Sequence, residues 1–380
     1  MSNFIDELIT NLDYHFSELL EYPLSRPYWI YISLSHKCTY NCRMCGVVKI
    51  LKGHELPAEV LKRTLNEIAS WKRDCVVMFT GGEVFLRKDA FELIGYSIGK
   101  GLNTEAVSNG ALIDEDMARR IVSSGLQNIA ISLDGAKEST HDLIREKGAF
   151  RKAIDAITYL VEAKKKFGKG PQISVWTTIM KENMNELSDI IPLVRDMGVE
   201  CLVYHPVIVA QDDMQKTSPE APFWISNERL NILKEQIDKI LDYKSKHGLV
   251  AFLHDPYLWI KYFAVALNKS DWKCNPFVFL NIGPDGEVRS CGASFGNIKE
   301  MSLNDCLLSQ DAHSARRIMN ACQKPCLQTC WARPDSDSAV EIANRFINNI
   351  KHDKDKARLL KTGLKILERY KNITMSCKNA

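Results

Sequence analysis

Six short apolar runs separated by helical stripes constrain the fold of this chain more than any other feature. The runs lie at 28–34, 75–79, 102–107, 128–133, 172–179 and 200–204, with helical periodicity near 57–73, 88–100, 114–124, 149–167 and 184–197. Gly101, Gly125 and Gly198 stand at the joins, where glycine suits helix ends. Strands alternating with helices pair in parallel through right-handed crossovers. Six such units fall short of the eight in a closed barrel, so the expected class is α/β, an open, partial (β/α)6 barrel like an incomplete TIM barrel. Ligands of such folds bind at the carboxyl ends of the strands, which predicts where chemistry-bearing residues should stand.

They stand there. Cys38, Cys42 and Cys45 follow the first run, Thr80-Gly81-Gly82-Glu83 the second, Ser108-Asn109-Gly110 the third and Ser132-Leu133-Asp134-Gly135 the fourth. Three thiolates are one ligand short of the four that hold an ordinary iron–sulfur cluster or a structural zinc, and the missing ligand leaves one metal position open. Zinc with His36 or His54 as fourth ligand is the competing reading. Asn109, Asp134, Ser108 and Ser132 can contact a ligand or simply form turns, since Asn-Gly and Asp-Gly are turn formers. Arg145 has the fork geometry that suits a carboxylate.

The C-x3-C-x2-C spacing together with Gly81-Gly82-Glu83 resembles the signature of the radical S-adenosylmethionine (SAM) enzymes. Val84 stands where the family commonly has proline, and Met44 where an aromatic residue commonly precedes the third cysteine. The resemblance implies a [4Fe–4S] cluster on Cys38, Cys42 and Cys45 whose free iron chelates SAM. It implies that Gly81, Gly82 and Glu83 hold the SAM amino group. Ser108, Asn109, Ser132, Asp134 and Arg145 become candidates for its ribose and carboxylate. It also implies reductive cleavage to a 5′-deoxyadenosyl radical that abstracts hydrogen from a substrate, with a flavodoxin- or ferredoxin-type electron donor.

A second group of cysteines, Cys274, Cys291, Cys322, Cys326 and Cys330, lies downstream, with Gly286 in a turn between the first two. That turn predicts a hairpin bringing Cys274 and Cys291 together. The group resembles the SPASM or shorter twitch extension of the same family. Full SPASM domains carry seven cysteines for two clusters; five here imply one auxiliary iron–sulfur cluster, of the [4Fe–4S] type, on Cys274, Cys291 and two of the last three. Structural zinc is the alternative. Cys306, in a helical context, is expected in the core, and the apolar run 256–267 as a buried helix.

The expected organisation is an N-terminal amphipathic helix at 1–27, the barrel at 28–210, a helical linker at 211–273, the cysteine-rich extension at 274–332 and a basic helical tail at 333–380. A net charge of 50 − 47 = +3 gives no argument for nucleic acid. No apolar window reaches the length of a membrane span, and the start lacks a signal peptide's order of residues. With twelve cysteines read as metal or redox groups, a cytoplasmic protein is expected. The short segment before the barrel favours a small-molecule substrate over a leader-bound peptide. A leader-independent peptide-modifying maturase and a non-catalytic zinc or iron–sulfur scaffold are the alternatives.

Overall fold

The structure, a computed structural model, describes residues 17, 23, 25–46, 55–72, 75–208, 221–252, 255–267, 277–291, 293–321 and 327. The expected helix at 1–27 and the tail therefore lie largely or wholly outside the described residues, as do His54, Cys274, Cys322, Cys326 and Cys330.

Six strands form where the apolar runs stand: β1 (Trp29–Ser33), β2 (Val76–Thr80), β3 (Asn103–Ser108), β4 (Asn128–Ser132), β5 (Gln172–Ile179) and β6 (Cys201–Pro206). They pair in parallel in sequence order. Between them run α1 (Ala58–Ser70), α2 (Ala90–Gly99), α3 (Glu115–Ser123), α4 (Glu138–Ile144), α5 (Ala149–Phe167) and α6 (Leu187–Asp196). The stripe Leu61, Leu65 and Ile68 explains α1: spaced four and three apart, these side chains share one face and are buried. In α5, Ala153, Ala156, Ile157 and Leu160 form the buried face. Gly168 ends that helix at φ 69° and donates its N–H to Lys164 O, a conformation that suits glycine. These faces cover Ile30, Ile32, Val77, Phe79, Ala106, Ile129 and Ile131 of the sheet, all fully buried. Each large apolar side chain contributes about 1.5–3 kcal/mol by leaving water.

The sheet goes further than six strands. After β6, α7 (Leu230–His247) leads to a two-residue parallel strand, β7 (Val250–Ala251), so the expected linker carries a seventh βα unit. The apolar run near 256–267 does form a buried helix, α8 (Leu258–Phe263), with Trp259, Tyr262 and Phe263 inside. At the other edge β8 (Phe279–Ile282) pairs in parallel with β1, then β9 (Glu287–Ser290) and β10 (Ala293–Asn297) follow as antiparallel neighbours. The hairpin at Pro284-Asp285-Gly286 forms, with Gly286 at φ 89°. Its strands continue the main sheet. Two helices, α9 (Leu303–Leu308) and α10 (Gln310–Ala321), follow, and Cys306 is buried in α9. Among the described residues no helix is long and apolar enough to cross a membrane.

Candidate active site at the carboxyl ends of the strands

The loop after β1 carries Cys38, Cys42 and Cys45, and its backbone is fastened on two sides. On one side Gly82 N–H donates to Ser35 O at 2.7 Å and Glu83 N–H to Lys37 O at 2.9 Å. On the other, Arg43 N–H donates to Ile144 O at 2.9 Å, beside Arg145. Arg87, buried and paired with Asp89, donates to Leu34 O at 3.2 Å and Leu56 O at 2.8 Å, clamping both ends of the loop.

The glycine pair also has a packing role: Gly81 and Gly82 admit the cysteine loop. A Cβ at Gly81 would stand 2.4 Å from Ser35 O, and one at Gly82 2.1 Å from Lys37 O. Gly81 also holds φ 131°, so two separate reasons require glycine there.

Glu83 is 1% exposed and its carboxylate is already engaged. Ser108 Oγ–H and Phe85 N–H donate to Oε1 at 2.9 and 3.2 Å, and Asn109 N–H donates to Oε2 at 2.8 Å. Burial raises its pKa, against the pull of these donors. The side chain thus ties the end of β2 to the end of β3. Val84, in place of the common proline, is buried in a single 3-10 turn, Val84–Leu86, capped by that same carboxylate. Ser108 also accepts from Gly110 N at 3.1 Å. Asn109 reaches into the cysteine loop: its Nδ2 donates to Cys38 Sγ at 3.4 Å and Thr39 Oγ1 at 2.9 Å.

Asp134 anchors two neighbouring elements. Its side chain is fully buried, accepting Arg145 Nε–H on Oδ2 at 2.7 Å and Thr178 N–H on Oδ1 at 2.8 Å. Asn183, also buried, donates to Asp134 O and Thr178 O at 2.8 and 2.7 Å. Arg145 is thereby held beside the thiols, with its two terminal nitrogens free of this pair. Ser132 ends β4 half-buried, in register with Trp176.

The three thiols feel one another. Burial pushes Cys42 up to about 11, partly opposed by Arg145 and reinforced by Asp134, Cys45 and Cys38. Burial also raises Cys38, with Glu83 and Cys45 adding to it. Among the described residues, His36 included, no three Cys, His, Asp or Glu side chains close around a point that could hold a single metal ion. Three neighbouring thiols without a fourth fit three corners of an iron–sulfur cluster.

Sequence reasoning missed Arg87, Asn183, His141 and His205. His141 is fully buried in α4, accepts from Asp134 N on Nδ1 at 3.0 Å, and burial lowers its pKa to about 4. His205, half-buried on β6, contacts Thr178 Oγ1 at 3.1 Å and is likewise lowered to about 4, again by burial. Both bind protons more weakly folded than unfolded, where histidine titrates near 6.5. Their stabilisation is complete above pH 6.5 and is lost as pH falls toward 4. For His141 the full loss is about 3 kcal/mol; His205, with part of its ring open, adds less. Glu83 opposes this, because a carboxyl with a raised folded pKa favours folding as it protonates. Urea unfolding at pH 7.5 and 4.5 should show a smaller acid loss in His141→Asn than in wild type; equal losses would refute this role for His141.

A family model for the radical SAM superfamily matches residues 32–194, a span containing the cysteine loop and the groups at the ends of β2 to β5. Over that span, less than half of the chain, the protein is similar to the radical SAM superfamily. Among curated relatives, Fe-coproporphyrin III synthase of Methanosarcina barkeri is 25% identical over 226 residues, 59% of this chain and 55% of the relative. The AdoMet-dependent heme synthase of Nitratidesulfovibrio vulgaris is 36% identical over 124 residues, 32% of each chain. PqqA peptide cyclase of Rhodopseudomonas palustris is 24% identical over 324 residues, 81% of each. The chain spans about half or less of the length of the first curated relatives it matches. Among solved structures, Streptococcus suis SuiB bound to S-adenosylmethionine superposes with a TM-score of 0.63 at 15% identity, covering 81% of this chain and 72% of SuiB. AnSMEcpe with bound AdoMet gives 0.60 at 15% identity, covering 90% of this chain and 100% of that one. At such identity the likeness shows the fold alone.

Proposed function

We propose that the protein is a radical SAM enzyme whose first cluster sits on Cys38, Cys42 and Cys45. The observation that carries this is the convergence on one loop of three mutually interacting thiols, the Asn109 amide at Cys38 Sγ, and an Arg145 held by Asp134. When bound, the cluster and SAM supply one-electron cleavage of the sulfonium and removal of a hydrogen atom from substrate. The chain's own residues bind and orient. Gly81 and Gly82 let the second strand end press on the cysteine loop, and Arg87 clamps it. Glu83 and Ser108 lock the Asn109 turn, and Asn109 steadies the Cys38 sulfur. Arg145 offers its terminal N–H groups to the SAM carboxylate, with Ser132 at the end of β4 as a further polar contact for SAM. A flavodoxin- or ferredoxin-type protein delivers the electron.

The downstream group keeps its proposed role: one auxiliary [4Fe–4S] cluster on Cys291 with Cys274 and two of Cys322, Cys326 and Cys330. Of these Cys291 alone is described, half-buried just past β9 at φ 48°. The substrate is a small molecule held in the barrel. A second reading, a leader-independent peptide maturase, is favoured by the long match to PqqA peptide cyclase, against about half or less of the heme-related relatives. The domain division at 28–210 and 274–332 is proposed as functional, with the core serving SAM and the extension the substrate.

Iron and sulfide counting on anaerobically purified protein tests this. Wild type should hold about seven to eight irons and form 5′-deoxyadenosine from SAM under reductant; a Cys38/Cys42/Cys45 triple alanine variant should lose about four irons and all cleavage. Unchanged iron in the variant, or no 5′-deoxyadenosine from wild type, would sink the proposal.

A further inference from the structure

We propose that Glu105, on the sheet face turned away from the helices, seats a basic group of the substrate, a protonated amine. The inference rests on the barrel reading above and deepens it. On β3, Thr104, Ala106 and Ser108 are buried, and Thr104 Oγ1 meets Ser97 Oγ of α2 at 2.7 Å. Alternation therefore turns Glu105 and Val107 to the opposite, inner face. Strand register puts Asn281, Tyr31, Met78, Glu105 and Asn128 in one row across β8, β1, β2, β3 and β4.

The orientation of Glu105 is set by its neighbours. Ser174 Oγ–H donates to Asn128 Oδ1 at 2.9 Å, which fixes the amide so that its Nδ2 donates to Glu105 Oε2 at 3.2 Å. Oε1 receives no donor from the described residues, and no Lys or Arg among them forms an ion pair with Glu105. Arg289, opposite Asn281 in the register, is engaged by Glu287 and Asp285. Burial raises the Glu105 carboxyl, with only the Asn128 hydrogen bond opposing it.

A half-buried carboxylate without a counter-charge is costly, and a cation arriving from outside removes that cost. Tyr31 stands two strands away, about 10 Å at ordinary strand spacing. A carboxylate and an aromatic ring at that separation suit a molecule with an ammonium at one end and an apolar body. The same face repels a polycarboxylate, which would meet Glu105 without a free guanidinium to receive it.

The test uses holoprotein, benzylamine as cationic probe and benzoate as its anionic counterpart. Millimolar benzylamine should raise the melting temperature of wild type by about 2 °C, and benzoate should not. Glu105→Gln should lose the shift, and Glu105→Asp should keep a reduced one. Equal shifts from both probes, no amine-specific shift, or a full amine shift in Glu105→Gln would overturn the proposal. If Glu105→Gln does not fold, the wild-type contrast and Glu105→Asp still decide it. No turnover is needed: amine binding without 5′-deoxyadenosine formation would sink the enzyme reading and leave the seat, and the converse result would do the reverse.

Discussion

A single methyl group added at Gly82 is expected to cost the protein its first cluster. Gly82→Ala places Cβ 2.1 Å from Lys37 O and 2.6 Å from Lys37 C. Both are main-chain atoms, so no rotamer change relieves the clash. Either the turn after β2 or the cysteine loop must move by about 1 Å to reach ordinary contact, and each is held by other hydrogen bonds. Retreat of the turn breaks Glu83 N–H to Lys37 O; retreat of the loop moves Cys38 off Asn109. The expected stability loss is about 2–3 kcal/mol, as for other overpacking changes. Iron content should fall by at least half, read by iron assay and the visible absorption of the purified protein. Ala at Gly95, where an added Cβ meets nothing within 4 Å, is the matched control and should be silent. Wild-type iron in Gly82→Ala would show that the loop accommodates the strain.

The second large effect belongs to Arg145. Arg145→Met leaves Asp134, with a fully buried side chain, without its counter-charge. Breaking a buried pair from one side costs about 3–5 kcal/mol, because the remaining charge stays desolvated. The double variant Asp134→Asn/Arg145→Met should recover part of that loss, since an amide can still accept Thr178 N–H on its oxygen. Denaturant midpoints of the four proteins give the coupling energy. Additive losses would mean the pair contributes no more than its separate parts. Either Arg145 variant should also weaken SAM binding, measured by equilibrium dialysis, if the terminal guanidinium nitrogens take the SAM carboxylate.

The positions of the six core strands and their site loops were legible because apolar period and punctuating glycines report them directly. Their side-chain roles were less so. Sequence shows Glu83 and Asp134 as carboxylates at strand ends, but not the donors folded around them. Those donors come from elsewhere: Asn109 is 26 residues from Glu83, and Thr178 is 44 residues from Asp134. Arg87 follows the Gly-Gly-Glu turn by four residues, and nothing local marks it as the clamp on Leu34 and Leu56. Glu105 lies within the run 102–107, and its partner Asn128 is set by the strand register. The two-residue β7 is too short to carry a periodic signal, and nothing local reveals that β8 should align with β1.

That last pairing orders events during synthesis. β1 has β2 on one side from early on, but its other flank waits for residues 279–282. Until then the Trp29-Ile30-Tyr31-Ile32 segment is an open, apolar sheet margin leading straight into the cysteine loop, the kind of margin that recruits other nascent chains. Chains halted on the ribosome before residue 279 should therefore self-associate through this segment, and those released after it should not.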